Sequence, residues 1–551
     1  MSDRTAHKDS FARDNLPPMA DWPTLRFTLP ELRYPERLNA GAELLDRMVA
    51  AGFADRPVIY FGKDVWSYRR LLEAANRIAR VLTEDCGIAP GNRVLLRAAN
   101  NPMMVACWFA VLKAGAIAVA TMPLLRAKEL SYILDKAQVS LALCDARLAD
   151  EMKAACARAP VCKDILYFNG DASDGLEARM SRKSADFANC DTFAEDVALI
   201  AFTSGTTGPA KGTVHFHRDI LAMCDCFPRH VLQPTSEDVF CGSPPLAFTF
   251  GLGGIVTFPM RVGAATALAE KAPPDLLPQI IHDHKATIVF TAPTAYRVMA
   301  ETAKREHLAS LRKGVSAGEH LPLPIYEAWE RATGIKLIDG LGSTEMLHIF
   351  IAASGDDIRP GATGKAVPGY EARVVDDEGR PVPPGEIGKL AVRGPTGCRY
   401  LADPERQRRY VRDGWNLTGD AYKMDEDGYF WYQARADDMI ISAGYNISGP
   451  EVEGVLLEHP KVAECAVIGA PDAERGMIVK AFVVLRDPRG AGEATAKELQ
   501  DFVKKEIAPY KYPRAVEFVD ALPRTETGKV QRFKLREQEQ ARAQNSIHAA
   551  R

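Results

Sequence analysis

Short apolar runs that read as buried strands alternate with segments of helical periodicity over roughly the first 350 residues, and no other feature narrows the fold as much. The strand candidates are 93–97, 116–121, 141–144, 197–202, 286–290 and 336–338. Among the helix candidates are 42–51, 103–113 and 68–83; in the last, Leu71, Ala75, Ile78, Ala79 and Leu82 fall on one face. Such alternation builds βαβ units and mostly parallel sheets, so the fold class is α/β. Between 355 and 436 the pattern changes. Short strands at 371–375 and 388–392 sit between the turns Asp377-Glu378-Gly379 and Pro383-Pro384-Gly385, as in a β-rich subdomain. From 437 a small α+β unit follows, with a helix through Val452, Val455 and Leu456 and strands at 465–468 and 479–485. Thr495 and Glu498 predict a capping box for a helix that turns Leu499, Phe502, Val503 and Ile507 inward. The polar end, 537–551, is expected to fray. The expected division is a large unit, 1–436, and a small one, 437–551.

Charge and cysteine usage exclude several classes. Lys and Arg number 69 against 72 Asp and Glu, a net charge of −3, which argues against a broad nucleic-acid surface. The apolar stretch 105–125 approaches membrane-spanning length, but Lys113, Gly115 and Pro123 interrupt it. It reads as a buried helix followed by a buried strand. The N-terminus has no apolar signal core, and neither a lipidation signal nor a basic amphipathic helix is evident. The 11 cysteines form no C-x-x-C pair, and Cys224 and Cys226 read as small reduced core residues. A cytoplasmic protein without nucleic-acid or membrane partners is expected.

The run 197–202 feeds Thr203-Ser204-Gly205-Thr206-Thr207-Gly208-Pro209-Ala210-Lys211-Gly212. Glycines allow tight turns and close approach to a ligand, and successive N–H groups in such turns form anion-binding concavities. A phosphate-holding loop is the chemistry this favours. It is not a Walker A loop, because Gly212 follows Lys211 where that motif needs Ser or Thr.

Further motifs follow in order: Gly340-Leu341-Gly342-Ser343-Thr344-Glu345, Asp413 to Asp420, Arg435 to Ile440, Gly444-Tyr445-Asn446-Ile447 and Pro523 to Lys529. Together with the loop they resemble the adenylate-forming superfamily of acyl- and aryl-CoA synthetases, adenylation domains and firefly-type luciferases, over about residues 30 to 535. The resemblance implies a mobile C-terminal domain with a hinge at Asp437, and ATP, Mg2+ and CoA as reactants or cofactor. Thr203, Ser204, Gly205, Thr206, Thr207, Gly208 and Lys211 would hold the ATP phosphates. Thr344 and Glu345 would be catalytic, with Glu345 and Thr206 as magnesium ligands. Asp420 would accept from the ribose hydroxyls, Arg435 would meet ribose or phosphate, and Gly318, Glu319, Asp339 and Gly340 would line the adenine slot. Lys529 would stabilise charge on the α-phosphate, and Gly444 and Tyr445 would line the pantetheine tunnel. Three departures from the usual motifs are Pro209-Ala210 before Lys211, Leu341 in place of an aromatic residue, and Ala434 before Arg435.

Ala247, Phe248, Phe250 and Gly251 fall where this superfamily builds its acid pocket, and Phe248 and Phe250 offer flat apolar walls for a ring. His348 follows the Thr-Glu motif closely enough to meet a ring substituent or the carboxylate. The wider motif context resembles the benzoate-CoA ligase branch, and within it the 2-aminobenzoate-CoA ligases. A compact aromatic acid is therefore the expected substrate. A medium-chain acyl-CoA ligase, a carrier-protein-loading ligase, a luciferase-like monooxygenase and a nucleotide-binding scaffold without catalysis are the alternatives. A homodimer is expected.

Overall fold

In the computed structural model the run before the hydroxyl-rich loop is the strand Val197–Thr203. The structure describes residues 4–203, 210–435, 438–442, 445–472, 476–507, 509–525 and 528–549. Val197–Thr203 belongs to a six-stranded sheet ordered Asp164–Phe168, Val139–Asp145, Arg93–Arg97, Ile117–Thr121, Val197–Thr203, Lys211–Phe216. All neighbours in it are parallel except the last pair. A nine-stranded sheet lies beside it. Its parallel run from Pro57–Phe61 through Ile288–Thr291 and Lys313–Ala317 to Leu337–Gly342 is flanked by antiparallel edge strands. The α/β expectation holds.

The helix Pro102–Lys113 is buried at every residue, as an all-apolar helix must be in a soluble core. Its single charge, Lys113, donates to both oxygens of Asp46 at 2.5 and 2.6 Å. No helix among the described residues is long and apolar enough to cross a membrane. The short strands after 355 form a five-stranded antiparallel sheet that includes Glu371–Val375, Ile387–Arg393 and Trp415–Met424. Lys365–Ala366 still belongs to the large sheet, so this antiparallel unit begins at Glu371.

The small unit holds the helix Gly449–Glu458 and a three-stranded sheet of Val462–Asp472, Gly476–Leu485 and Ala515–Phe518. Two expectations fail. The capping box does not form, because the helix already starts at Glu493. Thr495 lies inside it and donates to the Gly490 carbonyl, while Glu498 takes the stronger, charged partner Lys461 at 2.6 Å. The polar end does not fray at 537 either. It continues the helix Arg532–Ala549, held by burial of Leu535 and by the Lys480–Glu539 ion pair at 2.8 Å. The turn after the helix Ala149–Arg158 also brings Cys156 and Cys162 within 5.3 Å at Cα, and they form a disulfide, which lies outside the sequence expectations. Cys224 and Cys226 are free and buried, as expected.

Candidate active site

Thr203 and Lys211 are register partners across the antiparallel pair Val197–Thr203 and Lys211–Phe216. Ser204, Gly205, Thr206, Thr207 and Gly208 lie in between, outside the described residues, as do Asp437 and Gly444. The chain thus returns from the hydroxyl-rich segment as a strand, not as the helix that follows a Walker A loop. Thr203 carries a buried hydroxyl with no hydrogen-bond partner among the described residues. On the return strand, Lys211 Nζ lies 5.9 Å from the ring centre of Tyr400.

Tyr400 ties that lysine strand to the acidic motif. Residues 398–401 run alongside Lys211–Phe216, with Val214 donating to the Arg399 carbonyl and Leu401 to the Gly212 carbonyl, each at 2.8 Å. This places Tyr400 opposite Thr213, and its hydroxyl donates to Glu345 Oε1 at 2.6 Å. Both side chains are buried. Burial and the Glu345 charge hold the Tyr400 phenol protonated far beyond its ordinary range. Beneath them Arg399 and Asp219, wholly buried, pair at 2.9 Å. Breaking such a pair by removing one partner costs about 3–5 kcal/mol.

The turn carrying Glu345 is fixed from several sides. His215 donates through Nε2 to the Thr344 carbonyl at 2.8 Å, and burial lowers its pKa to about 4, so it is neutral. Ser343 Oγ accepts from the Met346 amide at 3.2 Å. Leu347 then adopts a left-handed φ of 72°. That conformation costs a residue other than glycine roughly 1–2 kcal/mol, and here it reverses the chain between Glu345 and His348, which have different neighbours.

Asp420 is buried on Trp415–Met424 and is the register partner of Arg435. Asp339 and Gly340 come from Leu337–Gly342. Burial pushes the Asp339 carboxyl up to about 8, opposed by a hydrogen bond from Thr363. Asp339 therefore binds its proton more tightly folded than unfolded. Its stabilising share is complete below its ordinary value of 3.8 and is lost as the pH rises towards about 8. Thermal melts of the ligand-free protein between about pH 5 and 8.5 should show this loss, and Asp339→Asn should flatten it. An unchanged slope in the variant would assign the pH dependence elsewhere.

Lys529 sits on a tight hairpin. Thr525 donates from its amide to the Lys529 carbonyl at 2.7 Å, and Gly528 takes the positive φ, 88°, that this turn requires. The hairpin lies against the large unit. A β-carbon at Gly318 would stand 3.9 Å from Lys529 Cε. Neighbouring Glu319 is pushed up by burial, and the positive charges of Lys529, Arg524 and Arg532 oppose that shift.

Phe250 and His348 also meet. Their ring centres are 5.8 Å apart, and Phe258, Phe227 and Phe290 stand 4.4, 6.1 and 6.4 Å from His348. Gly253 has to be glycine here, since a β-carbon would lie 2.3 Å from His348 Cδ2. Burial lowers the His348 pKa to about 3. Its Nε2 is 3.3 Å from the Phe250 carbonyl and so carries the proton, while Nδ1 is buried without a partner among the described residues. Phe248, before the short helix Thr249–Leu252, is half-buried and stands outside this ring cluster among the described residues. Ala247 precedes it, and Gly251 lies within that short helix.

The family model for AMP-binding enzymes matches residues 47–400, and that for the AMP-binding enzyme C-terminal domain matches 451–529. The chain belongs to the AMP-binding enzyme family. A benzoate–CoA ligase from Thauera aromatica is 34% identical over 514 residues, covering 92% of this chain and 98% of that one. A crystal structure of an anthranilate CoA ligase in complex with anthranoyl-AMP superposes with a TM-score of 0.89 at 35% identity, covering 94% of this chain and 100% of that one. A benzoate CoA ligase from Burkholderia xenovorans LB400 gives 0.83 at 32%, covering 90% and 99%.

In this AMP-binding enzyme several residues of the candidate site escape sequence reasoning. Tyr400 is 55 positions from Glu345, and only the pairing of 398–401 with the lysine strand brings them together. Phe227, Phe258 and Phe290 are apolar residues of ordinary strands and helical turns, and no local pattern separates them from core. Asn100 is another. Its side chain accepts from the Leu246 amide at 2.8 Å and donates to the Pro244 carbonyl at 2.9 Å, fixing the loop before Ala247.

Proposed function

We propose that this chain joins an aromatic carboxylic acid to CoA in two steps, with 2-aminobenzoate as the preferred acid. First, a carboxylate oxygen of the acid attacks the α-phosphorus of ATP, an aryl-AMP forms and pyrophosphate leaves. Then the CoA thiolate attacks the acyl carbon, and AMP leaves with the bonding electron pair. Lys211 and the segment Thr203 to Gly208 bind the phosphates, Asp420 and Arg435 the ribose, and Asp339, Gly340, Gly318 and Glu319 the adenine. Lys529 stabilises the charge that builds on the α-phosphate. Gly444 and Tyr445 serve the thiol step, which follows rotation of the small unit about Asp437.

Glu345 fits a magnesium site. Its bond to Tyr400 uses Oε1, and no cluster of three or more acidic, His or Cys side chains occurs among the described residues. Magnesium commonly binds through one or two carboxylates and completes its shell with phosphate oxygens and water. When bound it would neutralise phosphate charge, with Thr206 as a further ligand.

The observation that carries the aromatic reading is the cluster of rings formed by Phe250, Phe258, Phe290 and His348. Such walls favour a planar ring over a flexible chain. The unpartnered His348 Nδ1 is an acceptor, and a ring amino group beside the carboxylate supplies a donor for it. The similar anthranilate ligase and benzoate ligases support the same class. The cytoplasm, where ATP and CoA are abundant, is the proposed setting.

The test is acid-dependent pyrophosphate release with ATP, magnesium and CoA across 2-aminobenzoate, benzoate, 4-hydroxybenzoate, phenylacetate and octanoate, with the thioester identified by mass. The expected order places 2-aminobenzoate first and benzoate second. Octanoate in first place would overturn the aromatic reading, and benzoate above 2-aminobenzoate would overturn the role of Nδ1. No turnover with any acid would overturn the ligase itself.

A further inference from the structure

The hairpin bearing Lys529 is aimed by a chain of charges that begins outside it. Arg524, at the foot of the hairpin, faces Val530 across an isolated antiparallel bridge. Its guanidinium donates through Nη1 to the Gly528 carbonyl at 2.5 Å, closing the turn from the side. Through Nη2 it donates to Glu464 Oε2 at 2.8 Å. The other oxygen of Glu464, Oε1, accepts from Arg297 Nη2 at 3.1 Å. Arg297 belongs to the helix Pro293–Thr302 of the large unit, and its Nη1 also reaches the Ala463 carbonyl at 3.4 Å. That helix carries Thr294, whose hydroxyl lies 3.5 Å from Glu319, the residue beside Lys529. One carboxylate on Val462–Asp472 therefore joins the helix that borders the Gly318–Glu319 turn to the hairpin that delivers Lys529.

The pairing is partly shielded. Arg297, Glu464 and Arg524 keep 20%, 28% and 28% of their side chains exposed. A second cross-unit pair, Arg486 with Glu301 at 3.6 Å, is about half exposed on both sides and contributes less. Neither Arg297 nor Arg524 is replaced easily by lysine, because each uses two donors of a planar fork.

We infer that Glu464 is a positioning residue for the first half-reaction: it holds the Lys529 hairpin at the Gly318–Glu319 turn by bridging Arg297 and Arg524. This rests on the role proposed above for Lys529. A rotation of the small unit has to break the Arg297–Glu464 bond and can leave the Glu464–Arg524 bond intact, since the latter lies within the small unit. The bridge thus favours the arrangement in which Lys529 faces the nucleotide. It leaves the thiol step without a direct contribution from Arg297.

The experiment compares Glu464→Gln, Arg297→Ala and Lys529→Ala with the parent enzyme in two assays: acid-dependent ATP–pyrophosphate exchange, and thioester formation from supplied aryl-AMP and CoA. Misplacing a reacting group by about 1 Å can cost up to roughly a hundredfold. Glu464→Gln and Arg297→Ala should each lower exchange about tenfold or more, and the double variant should lose little beyond either single one. Thioester formation and the KM for ATP should stay within about twofold of the parent. Equal losses in both assays, or additive losses in the double variant, would show a merely structural role and overturn the inference. Unchanged exchange in Glu464→Gln with exchange lost in Lys529→Ala would overturn the bridge and spare Lys529. Retained exchange in Lys529→Ala would overturn the reading of Lys529 itself. Arg297→Ala lies outside the small unit, so it reports on the bridge even where Glu464→Gln disturbs the sheet.

Discussion

Lys529→Ala should lower aryl-AMP formation by about 10²–10³-fold and leave the reaction of supplied aryl-AMP with CoA within about twofold of the parent. The hairpin geometry accounts for the size of the effect. Lys529 stands just after Gly528 on the returning arm of the hairpin, its carbonyl bonded by the Thr525 amide, against Gly318 of the large unit. In the role proposed for Lys529, removing its charge withdraws stabilisation from a pentacoordinate phosphorus, whereas the thiol step places new charge elsewhere. The lysine is exposed, so the thermal midpoint should hardly move. Single-turnover measurement of both half-reactions checks this. Parallel loss in the two would remove Lys529 from the first step.

Glu345→Gln should cost about 10²-fold in the same first step and raise the magnesium concentration needed for half-maximal rate. Glutamine keeps an acceptor for the Tyr400 hydroxyl, which now donates to Oε1 at 2.6 Å, so the fold around the turn should persist. What is lost is one negative charge where a divalent cation is proposed. Tyr400→Phe is the informative partner. It removes the hydrogen bond and keeps the charge, so it should cost far less and leave the magnesium dependence unchanged. If Glu345→Gln and Tyr400→Phe lost the same activity with the same magnesium curve, Glu345 would be a structural acceptor only.

The alternation of strands and helices was legible because buried parallel strands are continuous apolar runs, as at 93–97 and 117–121, and need no partner to be recognised. The catalytic candidates were legible where chemistry is local. Glycine–hydroxyl runs and the Gly-x-Thr-Glu turn carry their signature within ten residues. What stayed hidden is non-local. Lys211 begins a strand because its register with Thr203 is set by the sheet, and nothing in Lys211-Gly212-Thr213 separates a strand from the end of a loop. Thr495 offered a capping signature, yet Gly492 caps the helix and Glu498 answers to Lys461 instead. Local propensity lost there to a tertiary ion pair. The polar tail read as fraying because its hydrophilic periodicity is weak; it is helical through Leu535 and Glu539, whose partners lie on the strands Val462–Asp472 and Gly476–Leu485. Phe248 and Phe250 looked equivalent by composition, but only Phe250 shares the ring cluster with His348.

The pairing of 398–401 with Lys211–Phe216 separates two dimensions of the site that sequence places in one motif. The distance from Lys211 to Glu345 is set by backbone rungs between Thr213, Tyr400 and their neighbours. The length of the segment 204–209 does not enter it. Slipping the strand by one residue would instead turn Lys211 to the opposite face of the sheet. The scaffold is thus a ruler set by the sheet, to which the segment proposed to hold phosphate is attached at Thr203 and Lys211.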